Sequence, residues 1–430
     1  MIKQLMMGAS ALAMLSAAPA MAQEAGEVDI RSTDTRPFAP EQNYENQFRD
    51  RNENTENQLR RDNFTENSAA SVASRVDTAE TIIENRVRGS NLSDPASHSS
   101  NNSAAIDQDG RNADADIDQG ANANNWAAVK QNVEAGASTN NGARADIDQD
   151  GTGSGRNVAY IQQLSVENAN GGLDASIDQT NTGSFANYAT VLQGQPRARG
   201  TQADIVQDGS GNDAVISQAN LPEDTLGSSR DAAATASYDE ALITQHGVGN
   251  RAAVQQEDWA GFDPSTRLAD TIVDQDGDSH EAYVLQVNGS TAGQFAFVTQ
   301  QNAPLGTGNF AAILQNGEGG MSSDLFQNGD GNEAFVRQEL SSGNGLSTVR
   351  QDGNDNYAEL SQFASASSVI DQDGLGDNTA VVVQTGLAVG ADSSVFQSGQ
   401  DLTAFVHQNT AGAMADISQS GTSNIASITQ

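Results

Sequence analysis

Few side chains in this sequence can do acid–base, nucleophilic or metal chemistry. Four histidines, His98, His246, His280 and His407, are scattered through 430 residues, and there is no cysteine. No histidine has a nucleophile or a second ligand at a meaningful spacing, and the lack of thiols excludes disulfide staples and thiolate metal sites. Asp146-x-Asp148-x-Asp150-Gly151 begins like a calcium loop, yet Asn157 stands at the twelfth position, where a bidentate Glu is required. Alternation along a strand explains these aspartates as an outward face. Neither an enzyme activity nor a cofactor is expected. What does recur is the carboxamide, a side chain that both donates and accepts hydrogen bonds and can therefore bond to copies of itself.

The recurring glutamines close two kinds of arm. In the first arm, a small residue, any residue, an aliphatic and any residue precede Gln, as in Ala145-Asp146-Ile147-Asp148-Gln149, Ala175-Ser176-Ile177-Asp178-Gln179 and Ala415-Asp416-Ile417-Ser418-Gln419. In the second arm, alanine stands four before and an aliphatic two before each of Gln131, Gln163, Gln193, Gln218, Gln256, Gln286, Gln315, Gln338, Gln362, Gln384, Gln408 and Gln430. Both arms alternate with period 2, which is the pattern of a strand with one buried face. Ala, Ile or Val, and Gln share that face, while Asp, Ser, Thr and Arg mostly take the other.

The elements that position these arms are tight turns. Six first arms are expected to run into Gln-Asp-Gly, at Gln108, Gln149, Gln207, Gln275, Gln351 and Gln372. Asn212, Asn250, Asn332, Asn356 and Asn424 open second arms after the turn. Asp, Asn and Gly tolerate the positive φ of a tight reversal. Pairing first-arm with second-arm glutamines gives twelve coils, from Gln119/Gln131 to Gln419/Gln430, and Ile106-Asp107-Gln108 reads as a degenerate half-coil ahead of them. The fold expected is therefore all-β: a β-solenoid of about twelve stacked two-strand coils over residues 104–430, spanning roughly 57 Å at the cross-β repeat. Stacking places equivalent Gln and Asn residues one strand spacing apart, so each buried amide is satisfied by its copies above and below.

The ends differ from this body. Lys3, the apolar run 5–18 and Ala20-Met21-Ala22 make residues 1–22 an expected secretory signal segment. Residues 23–103 form a polar leader with nine of the 21 basic residues, expected to be disordered apart from one short helix carrying Val72, Val76, Ala79, Ile83 and Val87. The formal net charge of -36 argues against nucleic acid or an anionic membrane surface as partner. With no second apolar stretch of spanning length, no membrane insertion is expected, and the mature protein is placed outside the cell. The sequence stops at Gln430, the last ladder position of the last coil, which reads as an uncapped edge. Charge repulsion opposes its use as a template, so salt or divalent cations should help.

The pattern Gln-x-Gly-x-x-Asn-x-Ala-x-x-x-Gln resembles the curlin repeat of curli fibre subunits. Five coils carry every position of it: Gln207, Asn212 and Gln218; Gln245, Asn250 and Gln256; Gln327, Asn332 and Gln338; Gln351, Asn356 and Gln362; and Gln419, Asn424 and Gln430. Two more depart only at Asn, where His280 and Leu402 stand. The resemblance implies export through a curli-type outer-membrane secretion apparatus, nucleation by a partner, and self-assembly into extracellular amyloid fibres that serve cell adhesion and biofilm matrix. This chain has more coils than the five usual in that family, irregular insertions and a long leader. A monomeric cell-surface solenoid adhesin or a calcium-binding repeat protein remains the alternative.

Overall fold

The computed structural model describes residues 102–430 apart from 111–112, 121–124, 134–141, 166–171, 195–200, 219–238, 259–268, 289–292, 303–305, 318, 341–342 and 387. The expected signal segment, the leader up to residue 101 with its helical stretch, the insertion 221–237 and Trp259 lie outside the described residues.

Twenty-five strands, β1 to β25 in chain order, make up the described structure. The odd-numbered strands form one 13-stranded sheet and the even-numbered strands a 12-stranded sheet, each strand pairing with the next but one in the chain. Pairing is parallel throughout, as in β2 (Ala113–Gln119) on β4 (Ala143–Gly151). The chain thus alternates between two facing sheets and advances one strand spacing per circuit, which gives twelve coils. Register follows the repeat: Gln aligns with Gln and aliphatic with aliphatic, as in Gln245↔Gln207 and Ile243↔Ile205.

The core between the sheets is a double column of alanines and aliphatics, among them Ile147, Ile161, Ile177, Ile205 and Ile216, each at most 1% exposed. Alanine lets the sheets approach, and β-branched residues fill the pleat. In the first arms the alternation is clean. β4 buries Ala143, Ala145, Ile147 and Gln149 and turns Arg144, Asp146, Asp148 and Asp150 outward.

Two expectations need correction. First, Gln108 does not end a first arm. Its strand, β1 (Ser103–Gly110), belongs to the 13-stranded sheet and pairs with β3 (Trp126–Val133), aligning Gln108 with Gln131. The Gln-Asp-Gly that follows reports a reversal and not which sheet is being left. Second, several second arms are buried on both faces. Their outward positions include Tyr160, Leu192, Tyr283, Leu285, Val383 and Phe405, all under 9% exposed. Several of these positions carry large apolar side chains where first arms carry Asp, Ser and Thr. Tyr283, Phe310, Phe335 and Tyr357 continue this face as a tilted ring stack with centroids 5.3 to 6.0 Å apart.

In the turns from Gln207 onward, that after Gln300 excepted, positive φ concentrates at two points. One is the Gly two residues after the first-arm Gln, as at Gly247 (φ 113) and Gly277 (φ 129). The other is the residue before the Asn position, which is Gly211, Gly249 or Gly331 in some coils and Ser279, Asp355, Asp377, Asp401 or Ser423 in others. Short polar side chains tolerate that region best among non-glycine residues.

Candidate functional site

The inward glutamines form two continuous columns. In the 12-stranded sheet each Gln Nε2 donates to the Oε1 of the next coil, from Gln119 through Gln149, Gln179, Gln207, Gln245, Gln275, Gln300, Gln327, Gln351, Gln372 and Gln397 to Gln419, at 2.7 to 3.0 Å. In the 13-stranded sheet the column runs from Gln108 through Gln131, Gln163, Gln193, Gln218, Gln256, Gln286, Gln315, Gln338, Gln362 and Gln384 to Gln408, over the same distances.

Most of these amides also donate across the coil. Gln207 Nε2 reaches the Tyr188 carbonyl at 3.0 Å, Gln245 the Asp213 carbonyl at 3.1 Å, and Gln351 the Glu333 carbonyl at 2.9 Å. From the other side Gln218 reaches the Gln202 carbonyl at 2.9 Å and Gln256 the Glu240 carbonyl at 3.0 Å. An oxygen could not make these bonds, so the carbonyl contacts fix which end of each amide is nitrogen. The columns are therefore directional: donors point toward the C-terminal coil. Each neutral rung nets roughly 0.5–1.5 kcal/mol, and a buried group left unmade costs about 1–3 kcal/mol.

A third column lines the turns. The asparagine Oδ1 of one coil accepts the backbone N–H at the same position of the next: Asn212 from Asn250 at 3.0 Å, Asn309 from Asn332 at 3.0 Å, and Asn332 from Asn356 at 3.1 Å. His280 takes the asparagine role. It donates its N–H to Asn250 Oδ1, and its Nδ1 accepts from Asn309 N–H at 3.1 Å. An accepting Nδ1 requires the proton on Nε2, where it can donate to the Asp276 carbonyl at 3.2 Å. Burial lowers the His280 pKa, which favours this neutral tautomer.

Two of the repeat residues stand outside the columns. Gln430 keeps the cross-coil bond of its kind, to the Met414 carbonyl at 2.9 Å, but lies beyond the last strand, β25 (Ile425–Thr429), and the rungs end at Gln408. Asn424 bonds the Ser420 carbonyl at 2.7 Å and is exposed in the last coil; Leu402, one coil below, has no side-chain oxygen to accept its backbone N–H. Other members escaped the turn-based reading. Asn102, Asn125, Asn157, Asn187, Asn309 and Asn378 sit in the turn column, each two residues before a second-arm alanine. Counting back from Ala, instead of forward from the turn, finds them. Thr271, Ser323, Ser347 and Ser368 replace the inward first-arm alanine and donate to Gln286, Gln338, Gln362 and Gln384 at 2.6 to 2.9 Å. Their signal in the sequence is a hydroxyl at a position that other first arms fill with alanine.

Outward carboxylates stack just as strictly. Asp118, Asp148 and Asp178 are in register. Burial and the neighbouring carboxylates, Asp178 first, raise the Asp148 pKa, and burial followed by Asp150 and Asp208 does the same for Asp178. Among the described residues no group of three His, Asp or Glu side chains could hold a metal ion. Asp146, Asp148 and Asp150 lie along one extended strand, whereas a calcium loop must wrap its ligands around the ion. Trp126, 1% exposed, opens β3 and carries the Arg156 guanidinium 4.6 Å above its ring.

On the 13-stranded sheet, burial and the nearby Asp355 push Glu333 up to about 7. A folded pKa above the ordinary 4.5 means the unfolded chain ionises first. Stability held below pH 4.5 is then lost as pH rises through 7. Glu333→Gln removes that loss. It is expected to stabilise the protein by about 1 kcal/mol at pH 8, after discounting for solvent screening, and to change little at pH 4. Thermal melts at the two pH values check this; equal shifts at both would refute it.

No protein-family model matches this chain, and no curated protein matches it.

Proposed function

We propose that this protein is a structural subunit of an extracellular curli-like functional amyloid fibre, assembled by stacking solenoids edge to edge. The observation that carries the reading is the direction of the columns. All rungs run one way, so the first coil presents amide oxygens and the last coil amide donors. Parallel sheets present matching edges at the two ends as well. Two different but complementary ends make a head-to-tail contact, which does not close on itself and so grows as an open filament. In-register parallel stacks with amide columns are also the local arrangement of cross-β fibres. Export through a curli-type outer-membrane apparatus, a nucleating partner, and a role in adhesion and biofilm matrix belong to this reading. Nothing in it calls for catalysis, a cofactor, nucleic acid or membrane insertion.

The test is seeded growth of the purified mature chain. Fibres with reflections at about 4.7–4.8 Å and ~10 Å are expected. A chain that stays monomeric by light scattering for days, with and without seeds, would sink the proposal. One observation favours a monomeric surface solenoid instead: an edge strand, β1, already covers one end of the 13-stranded sheet.

A further inference from the structure

The two sheets do not hold equal numbers of strands. There are twelve even strands and thirteen odd ones, and β1 is the extra strand. Among the described residues no first arm lies at its level, and its inward Ile106 is 46% exposed, whereas the aligned Val129 on β3 is 2% exposed.

β1 nevertheless carries a complete second-arm signature. Asn102-x-Ala104-x-Ile106-x-Gln108 repeats Asn424-x-Ala426-x-Ile428-x-Gln430 position for position. β1 also sits as a second arm should. Ala104, Ile106 and Gln108 align with Ala127, Val129 and Gln131 of β3. Gln108 donates to Gln131 Oε1 at 2.7 Å, and Asn102 Oδ1 accepts from Asn125 N–H at 3.1 Å. At the opposite end β25 aligns Ala426 and Ile428 with Ala404 and Val406 of β23 (Thr403–Gln408) and is the edge strand of that sheet among the described residues.

Stacking a second copy on the first coil then meets a steric problem. If that copy's β24 (Met414–Thr422) pairs with β2, so that the 12-stranded sheet runs on, its β25 must occupy the level where β1 lies. If β1 stays, one sheet gains a strand that the other lacks, and the columns fall out of step at every junction. Resting on the fibre reading, we propose that β1 is a built-in stand-in for β25 of a second copy, and that assembly replaces β1 on β3 with that strand.

The exchange is downhill in contacts. The incoming coil brings both arms, so Ile417 and Ile428 close over a level where β1 leaves Ile106 half open. Gln419 Nε2 meets Gln119 Oε1, and Gln430 takes the rung on Gln131 that Gln108 gives up. Gln430, outside the column in the single chain, gains its place in it.

Hydrogen exchange on the full mature chain tests the proposal. On passing from monomer to fibre, amides of 103–110 are expected to exchange at least tenfold faster and amides of 425–429 at least tenfold slower. A second measurement uses the absence of cysteine. Asp107→Cys with Lys130→Cys, aligned across β1 and β3 and both exposed, ties the two strands when oxidised. Oxidation is expected to slow elongation at least tenfold, and reduction to restore it. If 103–110 stay protected in fibres, or the oxidised chain elongates at the reduced rate, the stand-in role is refuted while the fibre reading stands. If no form of the chain makes fibres, both fall.

Discussion

Gln351→Ala is expected to destabilise the stack by about 3–5 kcal/mol and to slow fibre elongation, while Asp352→Ala, one residue away, changes either by little. Gln351 is fully buried and makes three bonds: it accepts from Gln327 Nε2 at 2.8 Å and donates to the Glu333 carbonyl and to Gln372 Oε1, both at 2.9 Å. Truncation leaves three buried partners short of a bond, each costing about 1–3 kcal/mol before relaxation. It also opens a gap that the coils on either side cannot close, since strand spacing is held by the backbone ladder. Asp352 faces outward and meets Arg350 at 3.0 Å and Asn328 at 2.7 Å, both at exposed positions. Such pairs contribute about 0–1 kcal/mol. Denaturant midpoints and elongation rates for the two variants decide the matter, and equal effects would undo the column argument. Because repeat stacks can unfold in parts, the midpoint should be followed by hydrogen exchange of the coils around the substitution.

Gly247→Ala is expected to cost about as much, by a different route. Its φ of 113 is a conformation side chains rarely adopt, and an added Cβ would run into the carbonyl oxygen of Gly277, the glycine one coil on. Gly209, Gly247 and Gly277 are in register, so the turns touch backbone to backbone and none can move aside alone. Strain and overpacking together come to about 3–5 kcal/mol. Gly412→Ala is the control. It also has positive φ, at 66, but an added Cβ meets nothing within 4 Å, so only the left-handed penalty of about 1–2 kcal/mol applies. Soluble yield and thermal midpoint should rank Gly247→Ala well below Gly412→Ala. The reverse order would show that turn spacing does not limit the stack.

The arms, their inward faces and the number of coils were legible in the sequence for a local reason. A strand's period of two is written in neighbouring residues, and Ala-x-aliphatic-x-Gln states which side is buried whatever the strand pairs with. Repetition added the rest, because copies of one arm have equivalent neighbours when stacked, so Gln207 meeting Gln245 followed from their being the same position in successive coils. Only the tertiary structure decided matters that depend on what lies 21 to 38 residues away or on the end of the stack. It placed β1 in the 13-stranded sheet, buried both faces of several second arms, turned the hydroxyls of Ser347 and Ser368 onto the second-arm column, and stopped that column at Gln408 although Gln430 carries the same motif. A motif says which residues share the inward face, and not whether the strand extends to the last of them: β25 is present beside β23 but ends at Thr429, one residue short of Gln430.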